Sequence, residues 1–169
     1  MKVIVLNDKS DLQVRFDLFE RLNTGGIKLT AHEVRESVFM GDFVNLLTEL
    51  AESSSFQQVV RLPRPRILDG TPQDYVLRFF AFFERYNRFE HSVQDFLTNF
   101  CRDAAADPQI EKRRDRFARV FAFLADVFPD GLKGRSGTTP VNLYEGVSVG
   151  AALALDVDPD IQVRESLLG

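Results

Sequence analysis

The side chains able to do chemistry are few and scattered. Cys101 is the one thiol, and it falls on an apolar stripe with no histidine near it in sequence. A nucleophilic cysteine needs a neighbouring base or cation to favour its thiolate, so packing in a core is the expected role. His32 and Glu36 stand one helical turn apart, as do His91 and Asp95. Either pair offers two metal ligands, fewer than a closed site needs, and decoration of a first helical turn is expected instead. No nucleophile elbow, Walker loop or dinucleotide fingerprint occurs. The expectation is no catalytic residue and no metal site.

Cations and backbone amides carry more. Arg61, Arg64 and Arg66 lie in a proline-stiffened stretch, and Lys112, Arg113, Arg114, Arg116 and Arg119 crowd one helix. Exposed cations are all that phosphate contact requires, so either group could touch nucleic acid. Glu111 and Asp115 interleave the second group and weaken its field, so the first is the candidate for nucleic-acid contact. The densest constellation runs from Phe19 through Arg21, Asn23, Gly25, Gly26, Lys28 and Thr30 to Arg35. It joins two capped helices through a loop rich in exposed amides, with arginine before it and lysine inside it. The helix opening at Thr30 adds free amides and the positive end of its dipole, where an anion could sit. On spacing alone, a plain helix-loop-helix corner with well-made caps is the favoured reading.

The elements that must position these residues are mostly helical. Lys2 to Leu6 is a short β-branched run and reads as a strand, which needs a sheet to join; no second convincing strand follows. Ser10–Gln13 and Thr30–Glu33 are capping boxes, and Gly25-Gly26 closes the first helix. Val34, Val38 and Phe39 form the inner face of the second. Gly41-Asp42 breaks and recaps, and Phe43, Leu46, Leu47 and Leu50 keep the helical period. Ser53–Ser55 starts a loop, and Arg61 to Gly70 reads as irregular. A buried helix is expected from Gln73 to about Arg88 on the Val76, Phe79, Phe80, Phe83 stripe. Ser92 caps a helix carrying Phe96, Phe100 and Cys101. Asp107-Pro108 caps the next, with Phe117, Val120, Phe121, Leu124 and Phe128 in line. Asp130 to Pro140 is a glycine-rich loop, a small-residue helix spans Val141 to Leu155, and a last helix follows Asp158-Pro159.

The chain has 169 residues, 44% hydrophobic and 27% charged, enough for one domain with a real core. Its net charge of −4 supplies no global basic field, so any nucleic-acid contact must be local. No apolar run reaches the ~18 residues of a membrane helix, and the apolar opening stretch is too short for a signal peptide. The single cysteine excludes an internal disulfide framework and points to a reducing, cytoplasmic compartment. There are 16 phenylalanines and no tryptophan. Phenylalanine buries a large area with no polar atom to satisfy, which implies a core of packed aromatic rings. The expectation is a single mainly α domain over 1–169: strand and helix-loop-helix corner over 1–60, helical bundle over 71–169.

The stretch Phe19, Arg21, Asn23, Gly25-Gly26, Leu29-Thr30, Glu33, Arg35 resembles the signature of the GmrSD-type restriction family. The Gln73–Phe82 segment is similar to that family's later "LRFxA" helix. Tyr86 followed by Asp95-Phe96-Leu97, then Phe117–Phe128 and Val141–Gly150, resemble its continuing helices. The resemblance implies a ParB/sulfiredoxin-like α+β module, of which this chain carries the helical second half. It implies a role in anti-phage or modification-dependent restriction, with Arg21, Asn23, Gly25, Gly26 and Lys28 bordering a nucleotide or anion site. Glu33 and Arg35 would fix the corner. The family's Asp-Gly-Gln-Gln-Arg motif, associated with nucleotide hydrolysis, is absent; Asp69-Gly70-Thr71-Pro72-Gln73 begins similarly but lacks its second glutamine and arginine. The family's nuclease domain is absent too. By resemblance the chain is a fragment, one subunit of a split gene or a degenerate relative, inactive alone. No cofactor is expected for the chain alone; a nucleoside triphosphate with magnesium would be the ligand of a module completed by a second copy or another chain. The alternative is a non-enzymatic helical module that docks through the Lys2–Leu6 strand edge.

Overall fold

The computed structural model describes residues 29–161, together with Val14, Asp17, Leu18 and Arg21, which are helical. The Lys2–Leu6 strand, the Ser10–Gln13 box, the Gly25-Gly26 stop and the helix expected after Pro159 lie outside the described residues. Eight α-helices follow one another: α1 Ala31–Val38, α2 Asp42–Ala51, α3 Ser54–Val59, α4 Arg64–Leu68, α5 Thr71–Arg85, α6 Val93–Ala106, α7 Ile110–Val127 and α8 Val141–Val157. The described part is therefore mainly α. Its one β feature is a parallel bridge between Val60 and Leu132.

Local chemistry accounts for most boundaries. Thr30 and Glu33 form the expected capping box: the Glu33 amide donates to Thr30 Oγ1 at 3.2 Å and the Thr30 amide to Glu33 Oε2 at 2.6 Å. Ser92 caps α6 by accepting from the Asp95 amide at 3.2 Å. Four expectations need correction. Ser54–Val59 is helical, because Phe56 and Val59 gain burial by folding back on α7. Arg64–Leu68 is a short helix with proline in its first turn, although Arg61 to Gly70 reads as irregular. The central helix starts earlier, at Thr71, and ends at Arg85, where a 3₁₀ turn over Tyr86–Arg88 takes over. Finally, α7 is entered through Gln109 in the left-handed region (φ 39°), two residues past the expected Asp107 cap.

The phenylalanines pack as the composition implies. α5 is central, touching α1, α2, α6 and α8, while α7 packs against α2, α3 and α8. Phe79, Phe80, Phe117 and Phe121 are fully buried. Phe117 and Phe121 stack with ring centroids 4.1 Å apart, and Phe79 meets both edge-on at 5.6 and 5.8 Å. Such ring pairs add about 0.5–1.5 kcal/mol each beyond their buried area. Phe56 and Tyr144 close the same cluster at 6.4 Å. Val14, on the described part of the helix that precedes α1, is 55% exposed.

Candidate functional site

The α1 corner is built on buried charge. Arg35 is 2% exposed and extends from α1 toward α5 and α6. Its Nη2 donates to Asp74 Oδ1 at 2.5 Å and its Nη1 to Gln94 Oε1 at 3.1 Å. Asp74, in the first turn of α5, also accepts from Arg78 Nε at 2.7 Å through its other oxygen. Arg78 Nη1 then reaches Glu145 Oε1 on α8 at 2.7 Å. The result is an alternating chain, Arg35–Asp74–Arg78–Glu145, that ties α1, α5 and α8 together. Ion pairs removed from water are worth more than surface pairs only when each charge is matched, and here all four are. Burial holds the Arg35 guanidinium below its ordinary pKa, with Asp74 opposing that shift.

A cleft of about 250 Å³ opens over this chain, bordered by Thr30, His32, Arg35, Arg66, Thr71 and Gln94. It continues into a second of about 370 Å³ along Arg66, Asp74, Tyr75, Arg78 and Thr139. Gly70 lines the first cleft at φ 80°, and a Cβ there would lie 2.1 Å from His32 Cδ2. Glycine therefore serves both the left-handed backbone and the seat of the imidazole. Burial lowers the His32 pKa despite Glu36, whose Oε2 lies 3.8 Å from Nε2. The charges inside the cleft cancel. Arg66, which borders both clefts, is exposed and takes part in no ion pair among the described residues.

The residues expected to border a nucleotide or anion are only partly within view. Arg21 is helical and exposed; Asn23, Gly25, Gly26 and Lys28 lie outside the described residues. Glu33 completes the α1 cap, and the Thr30 backbone N–H holds its carboxyl below the usual glutamate range. Arg35 anchors the far end of the same helix. Arg61, Arg64 and Arg66 are all exposed; Arg61 lies in irregular chain as expected, whereas Arg64 and Arg66 sit on α4.

The basic helix is a different matter. Arg113 is 6% exposed, points inward, and grips Glu84 with both Nε and Nη2 at 2.9 Å. Its guanidinium also lies over the Phe43 and Phe100 rings. Arg114 pairs with Glu49 and Glu111, and Arg116 and Arg119 share Asp156. Four of the five cations are thus spent on intramolecular pairs. Cys101 is 1% exposed, and burial pushes its thiol up to about 12, far from a reactive thiolate. No group of three potential metal ligands converges among the described residues. No helix there is long and apolar enough to cross a membrane.

Sequence reasoning passed over Asp74, Arg78, Gln94 and Glu145. The Asp74–Arg78 pair at i, i+4 was the available signal; the link from Arg35 spans 39 residues and has no local signature. Comparison with protein-family models, with curated proteins and with solved structures gives no match to this chain.

Proposed function

We propose that this chain is the helical, non-catalytic half of a GmrSD-type nucleotide-handling module in a restriction or anti-phage system. It presents the Arg21–Lys28 stretch to a nucleoside triphosphate and leaves hydrolysis to residues on another chain. The observation that carries the reading is the Arg35–Asp74–Arg78 junction. Arg35 ends the signature-like stretch, while Asp74 and Arg78 belong to the Gln73–Phe82 helix, the second segment on which the resemblance rests. Two stretches far apart in sequence thus meet through charged side chains, as parts of one working corner would. The junction fixes α1, the helix that follows the signature-like stretch, and so gives that stretch a rigid base at its C-terminal end. A fixed base lowers the ordering cost of anion binding.

Chemistry on a phosphoanhydride needs a positioned water and charge stabilisation at the transferred group. The described residues provide no such arrangement around the cleft, where each buried cation already faces a carboxylate. The pure chain is therefore expected to bind triphosphate weakly, in a salt-sensitive way, and to hydrolyse none. The test combines phosphate-release kinetics with equilibrium dialysis of labelled ATP and GTP at low and high salt. Turnover by the pure chain that survives removal of contaminants would refute the non-catalytic assignment. Absence of salt-sensitive binding, or binding unchanged in the Lys28→Ala variant, would refute the loop as its site.

A further inference from the structure

The described arginines of α5, α6 and α7 are largely engaged: Arg78, Arg85, Arg102, Arg113, Arg114, Arg116 and Arg119 all reach carboxylates. Arg61, Arg64, Arg66, Lys133 and Arg135 are exposed and form no ion pair among the described residues. Their proximity is invisible in sequence. The Leu132 amide donates to the Val59 carbonyl at 2.7 Å and the Thr139 amide to the Arg61 carbonyl at 2.8 Å, so the glycine-rich loop lies alongside the turn into α4. The bridge turns Val60 and Leu132 inward, at 6% and 5% exposure. Successive side chains in extended backbone alternate faces, so Arg61 and Lys133 emerge side by side. Gly131 permits this approach, because a Cβ there would sit 2.7 Å from Arg61 Nε.

Arg61 lines a groove of about 460 Å³ whose walls include Phe56, Val60, Leu62, Ile67 and Pro72, and Arg64 stands one turn before Ile67 on α4. Glu52 is the single carboxylate along it. Ile67 is 53% and Leu68 83% exposed on the α4 ridge, an unusual outlay of aliphatic surface for a five-residue helix. Gln73 lies at the floor with its Oε1 buried and without a hydrogen-bond partner. An unpaired buried acceptor carries a desolvation penalty that an incoming N–H would relieve once the amide turned toward it.

We propose that this groove is a docking site for an acidic peptide segment of a partner protein, its aliphatic or aromatic side chains entering between α3 and α4. Its carboxylates would pair with Arg61, Arg64, Arg66, Lys133 and Arg135. Charge complementarity selects the occupant: five uncompensated cations stand out on a chain whose net charge is −4. A nucleic-acid backbone would use the cations but not the aliphatic walls or the orphan acceptor, whereas a peptide uses all three. This surface is independent of the nucleotide reading; either can fail without the other.

The experiment is a selection from a phage-displayed random peptide library against the full chain, followed by affinity measurement on the enriched peptides. Enrichment of peptides combining acidic with aliphatic or aromatic residues is expected. Their binding should weaken about tenfold or more, ~1.4 kcal/mol, in the exposed-site variant Ile67→Glu and again in Arg64→Glu/Lys133→Glu. Lys112→Glu, on α7, should leave it unchanged. No enrichment, enrichment of basic peptides, or equal sensitivity to Lys112→Glu would overturn the proposal. So would a labelled DNA duplex whose binding needs Arg64 and Lys133 but not Ile67, which would assign the corner to nucleic acid.

Discussion

Replacing Asp74 with alanine removes the carboxylate that Arg35 and Arg78 share. Arg35 is 2% exposed and cannot turn to water, so its guanidinium would keep only the Gln94 carbonyl, with Nε already unpartnered. Arg78 fares better, since Glu145 remains at 2.7 Å. Stripping one partner from a buried ion pair costs ~3–5 kcal/mol. Because Asp74 is 19% exposed and Arg78 stays paired, the lower end, about 3 kcal/mol, is expected. That is a large share of the ~5–15 kcal/mol that holds a typical domain. Arg35→Met should be far milder, about 1 kcal/mol, because an apolar chain of similar length fills the space and Asp74 retains Arg78. The double variant should then resemble Arg35→Met, giving a coupling of about 3 kcal/mol in magnitude. The assay is urea unfolding followed by far-ultraviolet circular dichroism, as the chain has no tryptophan. With a slope of ~1–3 kcal/mol/M, the Asp74→Ala midpoint should fall by about 1 M or more. A fall below about 0.3 M, or strictly additive single variants, would refute the account of the junction.

Gly70→Ala should destabilise by more than ~1 kcal/mol and displace the imidazole, since it strains a φ of 80° and drives a Cβ into His32; thermal melting and the His32 ring resonances check both. His32 has a folded-state pKa below its ordinary 6.5 because of burial. Below 6.5 the unfolded chain therefore binds a proton that the folded chain resists, so stability falls as pH drops from 6.5 through the lowered value, and His32→Gln should flatten that part of the pH profile. Cys101, with its thiol near 12 and 1% exposure, should resist a thiol reagent at neutral pH in buffer and react fully in urea; rapid labelling of the native chain would contradict its burial.

The helices with a strong apolar period were legible from sequence, because Phe79, Phe117 and Phe121 recur at the spacing that one buried face demands. The caps at Thr30 and Ser92 were legible too, being local chemistry. α3 and α4 were not: each is too short to show a period, and serine or proline in their first turns reads equally as loop. What made Ser54–Val59 helical is Phe56 docking 5.5 Å from Phe121 on a distant helix. The site was half legible for the same reason. Glu33 is fixed by a neighbour three residues away, whereas Arg35 is fixed by Asp74 and Gln94 across long chain separations. The basic stretch on α7 misled in the other direction. Most of its partners, Glu49, Glu84 and Asp156, lie on other helices, so sequence could not show that its field is spent internally.

The central proposal is that the stretch preceding α1 forms an anion site and that the chain performs no hydrolysis itself. The most direct measurement is a backbone amide NMR titration of the full chain with ATP and with GTP, each with magnesium, alongside phosphate release in the same samples. The account predicts shifts concentrated between Arg21 and Thr30, diminished in Lys28→Ala, with no phosphate released. Shifts confined to other elements, no shifts at millimolar nucleotide, or steady release of phosphate would contradict it.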